Sequence, residues 1–199
     1  MEYWYLWLIF VVLCAVTAFV LKKASAALQQ HNQDTKQMYM QIERLKELKE
    51  KYKNADAEQI EKAPADELLA GMCAVLQSKI EHAENANDCF CAFSVPQRAV
   101  YTLQFFLEDC TEGLSAFFKI NGEPLTGALP SALSQIGETA LSALANDMYA
   151  MFDENNEAVS IDVASLKSID GEFADSFSRE RVLRQTKAYI EENAAEILA

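Results

Sequence analysis

The sequence predicts an all-α protein: an N-terminal transmembrane helix, a helical stalk and a multi-helix soluble domain. Three observations carry that expectation. Residues 3 to 21 hold no charge, apolar residues recur at helical spacing through most of the remainder, and no run of alternating residues argues for a strand. Predicted boundaries are 1–23 for the anchor, 24–63 for the linker and 64–199 for the domain.

The chain has 199 residues, of which 51% are hydrophobic, so it can bury the core of one ordinary domain beside an anchor. Its formal net charge of -13 is unevenly placed. Residues 1 to 65 carry 9 Lys+Arg against 8 Asp+Glu, whereas residues 66 to 199 carry 8 against 22. A surface that negative repels nucleic acid and anionic lipid, which excludes direct nucleic-acid binding and leaves a cationic protein partner or simple solvation.

From Tyr3 to Leu21 the uncharged run is 19 residues long. At about 1.5 Å per residue it nearly matches a hydrocarbon core of roughly 30 Å. Tyr3, Trp4, Tyr5 and Trp7 mark one interface, and Lys22 and Lys23 mark the other. Ala24-Ser25-Ala26 is similar to a signal-peptide cleavage site, but a signal peptide needs a basic start and a shorter apolar run, and the segment opens with Glu2. The reading is a single-pass anchor in the cell membrane. The two lysines after the span place the following domain in the cytoplasm, in keeping with five cysteines, Cys14, Cys73, Cys89, Cys91 and Cys110, that fall into no paired spacing.

Residues 24 to 62 are polar without Gly or Pro and read as a helical stalk, which if continuous would extend on the order of 60 Å. Glu47 with Lys51 and Glu58 with Lys62 are expected to pair one turn apart. Met38, Ile42, Leu45 and Tyr52 fit a and d heptad positions, with Lys49 interrupting, so a homodimer is one expectation and a solvated stalk the other.

Beyond Pro64, Leu68, Leu69, Met72, Cys73, Leu76 and Ile80 make the inner face of a first domain helix. A polar connection leads to Ser94-Val95-Pro96-Gln97, a capping box with an early proline, which starts the next helix. Gly113 to Ile120 reads as a short apolar helix before the turn at Asn121-Gly122, and Pro130 to Ile136 as a helix stopped by Gly137. Helices follow over 138–152, 160–169 and 179–199, the last with Val182, Leu183, Tyr189, Ile190 and Ile197 inward. Residues 153 to 157 form a loop.

The stretch from Tyr101 to Leu144 resembles the DNA-mimic-protein-19-like family. Glu108 at a helix end, Gly113, the aromatic pair Phe117-Phe118, and the later Ala132-Leu133-x-x-Ile136-Gly137 stand where that family carries matching residues. Thr111, Glu112, Leu114 and Ala116 depart from its Asn, Gly, Phe and Gln. The resemblance covers about residues 66 to 199. It implies an all-helical, often dimeric domain and, in the namesake, an acidic surface that imitates DNA and occupies a DNA-binding protein.

Three acidic clusters are the candidate interaction residues: Glu108, Asp109 and Glu112; Asp153, Glu154 and Glu157; and Glu191, Glu192 and Glu196. The third stands out because acids at the end of a helix oppose its dipole. Charge runs are more often solvated faces. For an enzyme the materials are few, since His31 and His82 assemble no triad or metal set and no Gly-rich phosphate loop occurs. Paired carboxylates such as Glu108 and Glu112, one helical turn apart, could chelate a cation or share a proton, but in an acidic chain such pairs arise by chance. Cys89 and Cys91 lack the further ligands that a metal needs. The expected function is therefore a membrane-anchored, non-catalytic interaction module that docks a basic protein through its acidic helical domain and needs no cofactor, with a DNA mimic and an acidic-pair enzyme as alternatives.

Overall fold

The computed structural model describes residues 36, 38–152 and 163–199, and every regular element among them is helical. The predicted span 3–21, the upper stalk, Cys14, His31 and the cluster Asp153, Glu154 and Glu157 lie outside the described residues. No helix among the described residues is long and apolar enough to cross a membrane.

The elements in chain order are α1 (38–52), α2 (Ala57–Lys62), α3 (Ala65–Glu81), α4 (Ala86–Ala92), α5 (Val95–Asp109), a 3-10 turn (Cys110–Glu112), α6 (Leu114–Ile120), α7 (Leu125–Gln135), α8 (Thr139–Met151), α9 (Val163–Ser176) and α10 (Arg179–Leu198). The chain divides into two units, Met1–Arg44 and Leu45–Ala199. Only the second unit's architecture concerns the site.

Helix α5 is the axis of that unit, packed by α3 and α10 on one flank, by α7 on another and by α6 near its end. It begins as the sequence predicts: Ser94 Oγ accepts from the Gln97 N–H while Gln97 Oε1 accepts from the Ser94 N–H, with Pro96 in the first turn. Its buried Val100, Leu103, Phe106 and Leu107 supply the central apolar face. Phe106 sits edge-on to Phe117, Phe173 and Phe177, which ties α5 to α6, α9 and the α9–α10 turn. Truncating so central a ring to alanine costs about 3 to 5 kcal/mol.

Several expectations change. The linker is not one continuous helix, because α1 ends in a turn at 53–54 and Asp56 caps a separate α2 through the Gln59 N–H. Its lower half also belongs to the core: Leu48, Tyr52, Ile60 and Ala63 are buried. Tyr52 leaves the heptad seam for a physical reason. Its ring fills the notch made by Gly71 on α3, where an added Cβ would stand 2.1 Å from Tyr52 Cδ2, and its hydroxyl donates to Glu67 at 2.9 Å. Lys51 ion-pairs with that same Glu67, not with Glu47; the Glu58–Lys62 pair forms as expected.

The polar connection before Ser94 contains a helix, α4, whose N-cap Asn85 accepts from the N–H groups of Asn87 and Asp88 and whose Phe90 is buried. Helix α7 starts at Leu125, five residues before Pro130. Its buried Leu129, Pro130 and Leu133 hold it together across a residue that removes one backbone donor. It stops where predicted. Gly137, at φ 82°, donates to the Ser134 carbonyl, and Glu138 donates to the Leu133 carbonyl, a Schellman close. Helix α9 runs past Ile169 to Ser176, because Phe173 gives its second half a buried anchor.

Gly71→Ala should lower stability by about 1 to 3 kcal/mol, the usual cost of overpacking. Thermal unfolding followed by circular dichroism would show this. The penalty should shrink in a Tyr52→Ala background, where the obstructing ring is gone, and equal penalties in both backgrounds would refute the notch.

Candidate interaction surface

The described acidic clusters lie at opposite ends of α5. Glu108 and Asp109 end that helix, and Glu112 lies in the 3-10 turn beyond it. Glu191, Glu192 and Glu196 occupy the last turns of α10, whose final carbonyls rest on Gln97 at the start of α5: Gln97 Nε2 donates to the Glu196 carbonyl at 3.2 Å and the Ile197 carbonyl at 3.1 Å. Gln97 and Glu108 stand eleven positions apart on α5, about 16 Å of helix. The two clusters do not merge into one patch.

Within the first cluster the residues have local work. Glu108 accepts from Gln104, and Asp109 accepts from Asn121 Nδ2 at 2.8 Å, which draws the turn after α6 back onto the end of α5. Glu108 and Glu112 belong to successive elements, because α5 closes at Asp109 and the tighter 3-10 turn carries Glu112.

The third cluster is differently placed. Glu191 approaches Lys187 at 3.6 Å. Among the described residues the carboxylates of Glu192 and Glu196 take part in no hydrogen bond or ion pair, and both residues are exposed. One helical turn apart, they share a face. Glu196 also helps to raise the pKa of Tyr189, after the larger effect of burial.

The cations of α10 explain why its charge order runs against its own dipole. Arg179 donates to the Leu107 carbonyl near the end of α5. Lys187 donates to the carbonyls of Glu61 at 2.7 Å and Ala63 at 2.8 Å, closing the end of α2. Arg181 forks onto Glu138 through Nε at 2.6 Å and Nη2 at 3.0 Å, and Nη2 also donates to the Ser176 carbonyl at the end of α9. The hydrogen bond to Glu138, and then its charge, raise the Arg181 pKa. Arg179, Arg181 and Lys187 of α10 therefore serve the C-termini of other helices. No comparable task accounts for the carboxylates of Glu192 and Glu196.

A second constellation gave no legible signal in the sequence. Asp170 on α9 accepts from the Ser115 N–H at 2.8 Å and the Ser115 hydroxyl at 2.6 Å, and Lys119 Nζ donates to that hydroxyl at 3.2 Å. Hydroxyl, carboxylate and ammonium together suggest a nucleophile with its base. The surroundings point elsewhere: Ser115 is buried, and Asp170 supplies the N-terminal cap that Gly113, at φ 118°, cannot. An added Cβ on Gly113 would meet Asp170 Oδ1 at 2.9 Å, so glycine is needed both for the backbone and for the approach of α9.

His82 is an exposed residue whose Nδ1 lies 2.5 Å from the Ser78 carbonyl. Among the described residues no three His, Cys, Asp or Glu side chains gather as a metal-holding group. Cys73 and Cys110 are buried free thiols, Cys89 is half-buried and Cys91 is exposed. Burial pushes the Cys110 thiol from its ordinary value of 9.0 up to about 11 and raises the Cys73 thiol and the Tyr101 phenol as well.

The residues that carry the family resemblance have structural roles. Gly113 and Gly137 hold positive φ, Phe117, Phe118, Ala132 and Leu133 are buried, and Ile136 and Gly137 close α7. Comparisons with family models, with curated proteins and with solved structures each return no match.

The thiol and phenol shifts carry one sign. Each group holds its proton more tightly when folded, so the contribution of Cys110 is complete below its ordinary value of 9.0 and declines as pH rises toward about 11. Denaturant unfolding across that range should show falling stability, with a shallower slope for Cys110→Ala; an unchanged slope would remove Cys110 as a contributor. Maleimide labelling of the native protein should modify Cys91 first, while Cys73 and Cys110 wait for unfolding.

Proposed function

We propose that the chain is a membrane-anchored, non-catalytic interaction module whose acidic helical domain docks a basic protein. The observation that carries this reading is the pair of exposed carboxylates, Glu192 and Glu196, at the end of α10. Acids there oppose the helix dipole, whereas three of the four cations of the same helix, Arg179, Arg181 and Lys187, are explained by bonds they make. A site that costs local stability and has no internal partner suits an external one.

The anchor is residues 3 to 21, with the cytoplasm as the compartment of the domain; its support is the uncharged length of the segment and the lysines that follow it. DNA mimicry is a narrower form of the same reading, resting on the family resemblance. Duplex DNA presents about one charge per 1.7 Å of axis. The three α10 acids fall within about 7.5 Å of helix, a mean spacing of roughly 3.8 Å, and one of them already faces Lys187. That density favours docking of a basic protein surface over imitation of a duplex. An acidic-pair enzyme finds less support, since Glu108 and Glu112 do not share a helix.

Alkaline carbonate extraction of cell membranes should leave the chain in the pellet; release into the supernatant would defeat the anchor. Capture of partners from extract should fall with salt and fall again with the triple variant E191Q/E192Q/E196Q. At roughly 0.5 kcal/mol for each exposed charge, the triple variant should bind about tenfold more weakly. Competition by duplex DNA for the captured protein favours mimicry. Capture that resists both salt and the triple substitution would overturn the acidic face as the docking surface.

A further inference from the structure

Helix α1 carries an exposed apolar stripe. Met38 is 56%, Ile42 42% and Leu45 50% exposed, although Leu48 and Tyr52 on the same helix are buried. The spacing of four then three places them at d, a and d of a heptad. Tyr52, the next d position, is held by Gly71 and Glu67, so the stripe ends at Leu45.

We infer that Met38, Ile42 and Leu45 form a parallel homodimeric seam between two anchored copies of this chain. Three arguments select a second copy as the occupant. A β-branched residue at a with leucine at d, here Ile42 and Leu45, is the combination that favours two parallel strands. Across such a seam Gln41 at g faces Lys46 at e of the other copy, so these flanking positions set no like charges against one another. The third argument is position. The stripe follows the predicted anchor by 16 residues, and anchors inserted the same way hold all copies parallel and at high local concentration.

This inference rests on the anchor reading of residues 3 to 21. The seam covers about one heptad, which is short of the roughly three to four heptads of a self-sufficient coiled coil. Confinement in the bilayer therefore has to supply part of the association. The expected behaviour is dimerisation in the membrane and dissociation on dilution into detergent.

Single cysteines placed along α1 of the full chain would test this in native membranes. In a Cys14→Ser and Cys91→Ser background, oxidation should cross-link Ile42→Cys and Leu45→Cys several-fold more than Glu43→Cys and Arg44→Cys. Dilution with excess detergent micelles should abolish the difference. Equal cross-linking at all four positions, or none, in chain that resists carbonate extraction would overturn the seam while leaving the anchor standing. Shielding of residues 42 and 45 from aqueous maleimide without cross-linking would assign the stripe to lipid and also overturn it. Chain released by carbonate would remove the anchor, and the seam that depends on it would fall with that distinct mark.

Discussion

An α-helix leaves its last four carbonyls without intrahelical donors and gathers partial negative charge there, so a bundle of short helices must find donors for many such ends. In this chain much of the supply comes from α10. Arg179 reaches the end of α5, Arg181 the end of α9 and Lys187 the end of α2, while the end of α10 is itself met by Gln97. Arg98 does the same for α4 through the Cys91 carbonyl at 3.1 Å. Contacts of this kind connect elements far apart in sequence, and they fix α10 in register against α2, α3 and α5 in a way that apolar packing alone does not.

The same division of labour separates structural charge from surplus charge. Cations are scarce in the acidic part of the chain, and several are committed to carbonyl ends or to the buried carboxylate of Glu138. Among the described residues many of the acids, Glu192 and Glu196 with them, are exposed, which is how a domain with ordinary helical packing presents so negative a surface. Glu138 is the informative exception. It sits just after Gly137, where the close of α7 turns directly into the start of α8, and burial there is tolerated because Arg181 supplies two donors at once.

Much of the helical architecture was legible because it rests on local rules. The Ser94–Gln97 box, the Gly137 stop and the inner face of α3 are each encoded within a few residues, and the structure reproduces them. What escaped was set by tertiary contact. Pro130 reads as a helix start, yet burial of Leu129 and Leu133 carries α7 through it. Tyr52 reads as a stalk residue, and only the notch at Gly71 reveals it as core. Helix α4 hides behind polar residues, of which Asn85 proves to be a cap. For the candidate surface, the sequence identified the α10 acids by their conflict with the dipole but not the reason the cations preceding them are exempt, since Leu107, Ser176 and Ala63 carry no mark of their role as acceptors. The distance between the first and third clusters was equally hidden, because it depends on how α10 lies along α5.

Gln97 shows how a local rule and a long-range requirement can disagree at one atom. Its oxygen completes the box at the start of α5 and its nitrogen serves the final carbonyls of α10, so both ends of one amide are spoken for. Glutamate would satisfy the box equally well by the usual pattern of such caps. Here it would aim a second anionic oxygen at two carbonyls and set the last turn of the chain adrift. The isosteric exchange of one amide for one carboxylate, silent to any reading of helix starts, would be felt a hundred positions away.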